Sequence, residues 1–211
     1  MKSLKESIFK ESIFNDVDTI ANNDTVLIEQ FLKNNYDIRG TYTINKDGTV
    51  DVKGTIWLMN KSVKAITNGA FQFGKVSGSF YCSDCKKLKS LEGAPKEVKE
   101  DFYCIDCPKL TSLKGAPKNV GGGFYCTGCD KLTSLKGAPE EVGWFDCSYC
   151  ENLTSLKGAP REVGKNFGCD NCPNLKSLEG APEKVGGVFQ CSYCSNLTIT
   201  DQDRKKYNIE D

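Results

Sequence analysis

A repeat of about 22 residues fills more than half of the sequence and limits what the chain can fold into. The pattern F-x-C-x-x-C-x-x-L-x-x-L-x-G-A-P-x-x-V recurs between residues 80 and 199, and the first cysteines of successive units lie 22, 22, 21, 22 and 22 residues apart. A fixed period of this length, with apolar positions in register, is typical of stacked units that bury one continuous core. The sequence therefore predicts a six-turn solenoid over residues 80–199.

Within each unit, the spacing of phenylalanine and cysteine predicts a short β-strand. The two residues are two positions apart, so in an extended chain both point inward while the residue between them faces outward. The Gly-Ala-Pro of each unit predicts a corner, because proline blocks a helix and glycine permits a tight bend. We expect a β-rich solenoid with one short parallel strand per 22-residue turn, and with the valine of each unit returning to the core.

Residues 37–79 are expected to form an N-terminal cap. A degenerate copy of the repeat runs from Ile56 to Val76, with Lys61 in place of the second cysteine. Upstream, residues 45–48 (NKDG) lie between two β-prone runs and predict a hairpin. A terminal unit with a polar outer face keeps the end of a solenoid soluble.

The two ends of the chain lie outside the repeat. Residues 1–36 contain the duplicated string KESIF and a predicted helix from Thr25 to Lys33. This N-terminal helical or anchor segment either packs on the cap or attaches the chain to a partner. Residues 200–211 form a C-terminal cap or a frayed tail, in which Asp201 is expected to be the N-cap of a short helix ending at Tyr207.

The repeat resembles leucine-rich repeats. In their cysteine-containing variety, L-x-L-x-x-C-x-x-L, the phenylalanine and first cysteine of this chain match the two strand positions, and the second cysteine matches the position that asparagine holds elsewhere. The run from Cys129 to Leu135 is also similar to the BspA-type repeats of bacterial surface proteins, and the LTSLKGAP unit is most similar to uncharacterised repeat proteins of tailed, crAss-like bacteriophages. The resemblance implies a right-handed coil and a phage-encoded protein, located in the host cytoplasm or associated with the virion.

All twelve cysteines lie in six Cys-x-x-Cys pairs. The pairs are Cys82/Cys85, Cys104/Cys107, Cys126/Cys129, Cys147/Cys150, Cys169/Cys172 and Cys191/Cys194. The first interpretation is that each cysteine is a small buried side chain, so that two columns of thiols line the core. The second is disulfide formation between adjacent turns, which strands about 5 Å apart allow but a reducing cytosol disfavours.

A zinc or iron–sulfur site is the third interpretation of the cysteines. Cys82, Cys85, Cys104 and Cys107 fall within the spacing of zinc ribbons, and six pairs would supply three sites of four thiolates. However, the sequence shows no alternation over a doubled repeat, and the residue after the second cysteine varies where zinc knuckles usually carry glycine. We therefore expect no metal and no cofactor.

The outward positions of the repeat carry aromatic and acidic residues that vary from unit to unit. The candidates for partner contact are Trp57, Tyr81, Asp84, Tyr103, Asp106, Tyr125, Trp144, Asp146, Tyr149 and Tyr193. These columns contain no lysine or arginine, which favours a basic partner segment with arginine stacking on tyrosine. The alternative is that the tyrosines only stabilise the sheet by cross-strand stacking. The single 21-residue step, at residues 142–145, is expected to kink this face.

Composition narrows the function classes. The chain has no histidine, and no nucleophile or acid–base pair stands apart from the repeat, so we do not expect an enzyme. Its 28 basic and 28 acidic residues balance, which gives no net field to attract nucleic acid. We expect a protein partner. A glycan is one alternative, because aromatic rings and carboxylates also suit sugars, and a structural virion protein anchored through residues 1–36 is another.

The sequence predicts neither secretion nor a membrane span. The lysines of the N-terminal MKSLKESIFK are not followed by an apolar run. Eighteen consecutive apolar residues, the length that a spanning helix requires, occur nowhere in the chain. The expected location is the cytoplasm.

Overall fold

A computed structural model describes residues 25–209, and over 80–199 these form a parallel β-solenoid whose turns follow the repeat. The predicted solenoid of six turns is thus confirmed. The duplicated KESIF strings, on which the anchor hypothesis depends, lie outside the described residues.

The phenylalanine of each unit begins or sits within a short strand, as the Phe-x-Cys spacing predicts. These strands, which we call the Phe column, are β4 (Phe80–Tyr81), β6 (Phe102–Tyr103), β8 (Gly123–Tyr125), β10 (Trp144–Asp146), β12 (Phe167–Gly168) and β14 (Phe189–Gln190). Neighbouring strands pair in parallel, with phenylalanine opposite phenylalanine in every turn. The sheet therefore repeats the sequence register without a slip.

A second short strand in each turn was not predicted. It forms at the valine that follows Gly-Ala-Pro, and we call this set the Val column. Its strands are β3 (Gln72–Val76), β5 (Glu97–Val98), β7 (Asn119–Val120), β9 (Glu141–Val142), β11 (Glu162–Val163) and β13 (Lys184–Val185). The valines of β5, β7, β9 and β11 are buried, as expected, whereas Val185 is only partly buried. Most of these strands have only two residues, which is too short for an alternating pattern that would predict a strand. They are held by backbone pairing with the equivalent strands of neighbouring turns.

The N-terminal cap closes the solenoid with a long antiparallel hairpin. Strands β1 (Tyr36–Ile44) and β2 (Thr49–Leu58) pair along their whole length around the predicted turn. β2 is long enough to join both columns, since its first half pairs with β3 and its second half with β4. Helix α1 (Thr25–Asn35) buries Ile28, Phe31 and Leu32 against this cap. The helix therefore packs on the cap, as one of the two hypotheses proposed.

The core is organised around a continuous stack of phenylalanine rings. The rings of Phe80, Phe102, Phe124, Phe145, Phe167 and Phe189 lie nearly parallel, with centroids of neighbours between 4.9 and 5.5 Å apart. We call this set the Phe ladder. All six phenylalanines are buried, so the ladder adds offset ring stacking to the burial of apolar area.

A tyrosine closes each end of the Phe ladder. At the N-terminal end, Tyr36 packs edge-on against Phe73 and is 6.5 Å from Phe80, and its hydroxyl donates to the carbonyl of Ile66. At the C-terminal end, Tyr207 stacks on Phe189 at 4.3 Å, and its hydroxyl donates to the carbonyl of Pro182 at 2.7 Å. Tyr207 ends helix α2 (Asp201–Tyr207), so the C-terminal segment is a cap and not a frayed tail.

The N-cap of α2 is Thr200, not Asp201 as expected. The Thr200 hydroxyl accepts the backbone N–H of Asp203, and the Asp203 carboxylate accepts the backbone N–H of Thr200. This reciprocal pair of hydrogen bonds is a capping box. It satisfies two backbone N–H groups at the start of the helix, whereas a lone aspartate would satisfy one.

The 21-residue step does not kink the solenoid, contrary to the expectation. The missing residue falls in the corner between Val142 and Phe145, and the Phe column pairs without interruption on both sides. The ring of Phe145 is tilted by only 6° from that of Phe124 and 8° from that of Phe167. A corner outside both strand columns can lose one residue without changing the register of either.

The corner glycines are required by both conformation and space, and this yields a stability prediction. Gly115 has a φ of +90°, and a Cβ there would lie 2.6 Å from backbone atoms of the preceding turn, at Leu91 and Glu92. Gly115→Ala should therefore lower the free energy of unfolding by at least about 2 kcal/mol. Gly164→Ala is the matched control, because the nearest atom to its Cβ is 3.8 Å away. Urea unfolding of both variants tests this, and equal stabilities would contradict it.

Candidate functional site

Four of the predicted contact residues form one continuous stack on the outer face of the Phe column. Trp57, Tyr81, Tyr103 and Tyr125 occupy equivalent positions in successive strands, and their ring centroids are 5.1, 4.5 and 4.8 Å apart. The planes differ by at most 9°. We call these four residues the aromatic ladder. Each is partly exposed, so the ladder presents a row of fixed ring edges to solvent.

Both ring faces of Trp57, Tyr81 and Tyr103 are already occupied. Tyr81 and Tyr103 each have a neighbouring ring on both sides. At the N-terminal end, the guanidinium carbon of Arg39 lies 4.5 Å from the Trp57 ring centroid, and Arg39 also pairs with Asp37 at 3.5 Å. A partner arginine therefore cannot stack on the faces of Tyr81 and Tyr103 and would meet their ring edges and hydroxyls instead.

Two carboxylates accompany the ladder at its C-terminal half. Asp101, which was not among the predicted contact residues, accepts the Tyr103 hydroxyl at 3.0 Å and the Gly123 backbone N–H at 2.6 Å. Asp146 follows Tyr125 in the same column, and its carboxylate accepts the Ser148 backbone N–H at 2.9 Å. Asp101 lies two residues before Tyr103, and this spacing is the signal that could have identified it, because alternate residues of an extended chain share a face.

The hydroxyls of Tyr103 and Tyr125 remain protonated donors. Burial, and then the hydrogen bond to Asp101, raise the pKa of Tyr103 above its ordinary value. Burial and the nearby carboxylates of Asp101 and Asp146 raise the pKa of Tyr125. This half of the face therefore combines hydroxyl donors with negative charge.

A second column of predicted contact residues lies in the turn after each strand. Asp84, Asp106, Tyr149 and Tyr193 all have a left-handed backbone conformation, with φ of 58°, 53°, 59° and 59°. The remaining members of the column are Gly128 and Asn171. Aspartate, asparagine and glycine tolerate this conformation, so Asp84 and Asp106 have a structural reason to be there apart from any partner. Tyrosine does not share that tolerance.

The tyrosines of the turn column are among the most exposed large side chains of the described region. Tyr149 is 57% exposed and Tyr193 is 82% exposed. No ring of residues 25–209 is in stacking contact with either, since the stacked rings belong to the two ladders and the caps. Their placement therefore costs conformational energy that burial does not offset.

The outer face is not free of cations, contrary to the expectation. Besides Arg39 at Trp57, the ammonium of Lys165 lies 3.6 Å from the centroid of the Trp144 ring. Lys86 is 3.8 Å from the carboxylate of Asp84. These lysine and arginine residues do not belong to the outward columns of the repeat, so the composition of those columns did not indicate that their side chains contact the face. Asp101, Asp106 and Asp146 contribute negative charge to the face, and Asp106 is exposed.

A shallow groove of about 780 Å³ lies along the Val column and is a second candidate surface. Glycines such as Gly121, Gly143 and Gly164 line it, together with a row of polar residues that includes Glu141 and Glu162. Arg161 binds both of these carboxylates, at 2.9 and 3.0 Å. Lys75 and Glu97 form a further ion pair on this side at 3.4 Å, and the mixed signs of the sequence predict a solvated face here.

The cysteines form two hydrogen-bonded columns inside the solenoid. The thiol of each second cysteine from turn two onwards donates to the carbonyl of the first cysteine in the preceding turn. These contacts are Cys107 to Cys82, Cys129 to Cys104, Cys150 to Cys126, Cys172 to Cys147 and Cys194 to Cys169, at 3.1–3.4 Å. The thiol therefore takes the role of a backbone-binding side chain between turns, which fits its place at the asparagine position.

All twelve cysteines are free thiols, and eleven are buried. The candidate metal ligands Cys82, Cys85, Cys104 and Cys107 belong to these columns, and within residues 25–209 no three histidine, cysteine or acidic side chains converge in an arrangement that could hold a metal ion. Burial raises the pKa of most of the thiols, Cys150 to about 12 and Cys82 and Cys147 well above their ordinary value.

Comparisons with protein-family models, with curated proteins and with solved structures returned no match for this chain. No helix in the described part of the chain is long and apolar enough to cross a membrane.

The buried thiols predict a steep loss of stability in alkali. Their pKa values are raised in the folded protein, so the folded state holds protons that the unfolded chain releases above its ordinary thiol pKa of about 8.5. The stability that these buried thiols contribute is therefore complete below about pH 8 and falls above it, by up to about 1.4 kcal/mol per pH unit for each buried thiol. Urea unfolding in a reducing buffer between pH 7.5 and 10 measures this.

A single substitution provides the control for the alkaline effect. Cys147→Ala removes one fully buried thiol, so its unfolding free energy should fall less steeply with pH by the contribution of one proton, whatever its stability at pH 7.5. An unfolding free energy that does not change between pH 8 and 10 would contradict the raised pKa values.

Proposed function

We propose that this chain is a non-catalytic module that binds a protein partner through the outer face of the Phe column. The observation that carries the proposal is the conformation of Tyr149 and Tyr193. Both are exposed, and both occupy a left-handed turn position that aspartate, asparagine or glycine fills in the other units. Strained residues that the fold does not need are typical of functional sites, and tyrosine is enriched in binding hot spots.

The aromatic ladder supports the same proposal. Stacking fixes the rings of Tyr81, Tyr103 and Tyr125 before any partner arrives, so little side-chain entropy is lost when they are covered. Stacking also stabilises the sheet, and for that reason the ladder alone does not distinguish binding from structural support. The turn tyrosines make that distinction, since they are not stacked in the sheet.

The charge of the face favours a partner segment with basic residues. Asp101 and Asp146 lie beside the hydroxyls of Tyr103 and Tyr125. Arg39 is engaged with Trp57 at the N-terminal end of the face, and Lys165 is engaged with Trp144, which precedes Asp146 by two residues on β10. A basic segment would therefore place its cations near Asp146, where only one backbone N–H is hydrogen-bonded to the carboxylate. The same charge disfavours nucleic acid, whose binding requires cations.

Replacing the turn tyrosines should separate binding from stability. In Tyr149→Asn with Tyr193→Asn, each position takes a residue that the chain itself uses at the equivalent Asn171. We expect the free energy of unfolding to stay the same or to rise by about 1 kcal/mol, because asparagine tolerates the conformation better. We expect binding to an array of basic synthetic peptides to fall at least ten-fold. Unchanged binding by the double variant would overturn the proposed site.

The control for this experiment lies on the other side of the solenoid. Glu141→Gln with Glu162→Gln alters the Val-column groove at the two carboxylates that Arg161 binds, and it should leave peptide binding unchanged. A glycan array probed in parallel tests the alternative ligand. Binding to glycans alone, lost in the tyrosine variant, would assign the same surface to sugars and overturn the protein partner.

A charge-neutral substitution tests the role of Asp146. Asp146→Asn keeps the oxygen that accepts the Ser148 backbone N–H and removes the negative charge. Affinity for basic peptides should fall by about three- to ten-fold, and its dependence on salt should become weaker. Titrations at low and at physiological ionic strength measure both. An unchanged affinity with an unchanged salt dependence would contradict a basic partner segment.

A further inference from the structure

The column of second cysteines has one member that differs from the rest. Cys194 lies in the sixth turn, with no further turn stacked on it, and it is the only cysteine that is not buried. The other cysteine of the same pair, Cys191, is buried, with 9% of its surface exposed. The end of the solenoid therefore brings a single thiol of the ladder into contact with solvent.

The Cys194 sulfur has both donors and acceptors around it, and its thiol donates to the Cys169 carbonyl at 3.2 Å. The Cys172 backbone N–H donates to the Cys194 sulfur at 3.4 Å, and hydrogen bonding with the Cys172 thiol and this N–H lowers the pKa of Cys194 to about 7. Burial and the carboxylate of Asp170 act in the opposite direction. By contrast, burial raises the pKa of Cys191 to about 11. The carboxylate of Asp203 in the adjacent α2 also raises this pKa, and Arg204 of the same helix lowers it.

Cys172 is placed to react with Cys194 in a second step. It occupies the equivalent position of the fifth turn, and the backbones of neighbouring turns are about 5 Å apart. This separation lies within the range that a disulfide spans. The thiol of Cys172 is also within hydrogen-bonding reach of the Cys194 sulfur. An accessible, reactive thiol beside a second, buried thiol is typical of cysteines that peroxides oxidise reversibly.

We propose that Cys194 is a site of thiol modification by electrophiles and peroxides, and that Cys172 is its resolving cysteine. The Cys194 thiolate attacks one oxygen of hydrogen peroxide, the O–O bond breaks, and a sulfenic acid and hydroxide form. The Cys172 sulfur then attacks the Cys194 sulfur, so that the S–S bond forms and the S–O bond breaks, and a water molecule leaves. Two thiols are oxidised to one disulfide while one peroxide is reduced to two waters.

The disulfide would tie the last turn of the solenoid to the turn before it. Cys172 and Cys194 are 22 residues apart, so the closed loop spans one full repeat. That loop includes Pro182 and Phe189, both of which contact Tyr207 of the C-terminal cap. Oxidation at this site would therefore fix the cap end of the solenoid without changing the outer face near Tyr103.

Alkylation of the folded, reduced protein with iodoacetamide tests the reactivity of Cys194. At pH 7 a thiol of pKa 7, such as Cys194, is about half ionised, whereas a thiol of pKa 11, such as Cys191, is ionised to about one part in ten thousand. The more acidic thiolate is a weaker nucleophile, which offsets part of this difference. We expect Cys194 to be labelled about 100-fold faster than any other cysteine, with a rate that reaches half of its alkaline limit near pH 7. Peptide mass mapping identifies the labelled residue.

Two variants from the same Cys-x-x-Cys pair provide the controls. Cys194→Ser should abolish the fast reaction, whereas Cys191→Ser should keep it, and thermal melting verifies that both are folded. Fast labelling at several cysteines in the wild type, or a half-maximal rate near pH 9, would overturn the proposal.

Treatment of the reduced protein with hydrogen peroxide tests the resolving step. We expect one disulfide, between Cys172 and Cys194, that dithiothreitol reverses. In Cys172→Ser the sulfenic acid cannot be resolved, so Cys194 should proceed to the sulfinic acid, which dithiothreitol does not reverse. A disulfide between Cys191 and Cys194 in the wild type, or the same products in wild type and Cys172→Ser, would overturn the assignment of Cys172.

Discussion

The rest of the structure depends on the alignment of identical side chains in neighbouring turns. Parallel strands in register place phenylalanine on phenylalanine, valine on valine and cysteine beside cysteine. Rings about 5 Å apart can stack on one another only if no strand slips, because a shift of one residue would point the whole set to the other side. The stacking of the Phe ladder and the backbone hydrogen bonds between neighbouring strands therefore enforce the same register. Strands of only two residues, which would not be stable alone, persist because each turn is held by the two beside it.

The sequence period predicted the architecture because every turn repeats the same inward residues. It predicted the solenoid and placed Phe80 and Cys82 inside and Tyr81 outside, whereas the hairpin and both helices were predicted from turn and capping residues outside the repeat. It did not predict the strands of the Val column, since Glu97–Val98 has no alternation of its own. The sequence also indicated Asp201 as the N-cap of α2, whereas the N-cap is Thr200, because the capping box there involves two side chains that act together. These differences arise where a local pattern is too short to carry the information.

The candidate site was predicted in part. The period correctly grouped Trp57, Tyr81, Tyr103 and Tyr125 on one face, because residues at equivalent positions of a solenoid share a surface. The backbone conformation of the turn column, which explains why aspartate and asparagine recur there, required coordinates. The contacts of Arg39 and Lys165 with the tryptophan rings could not be predicted from the sequence either. A long side chain from a neighbouring strand can cover a ring that is distant in the sequence. The charge of a face therefore depends on residues outside it.

The two tyrosines that close the Phe ladder have a consequence for how such a chain changes over time. Tyr36 and Tyr207 each cover one ring of the ladder and bind one carbonyl of a return segment, and neither contact depends on how many rings lie between them. A whole unit of 22 residues gained or lost in the middle would leave both ends intact. Length is then a property that gene duplication and deletion can adjust in fixed steps, while the ends stay constant. The size of the outer face varies with the same unit.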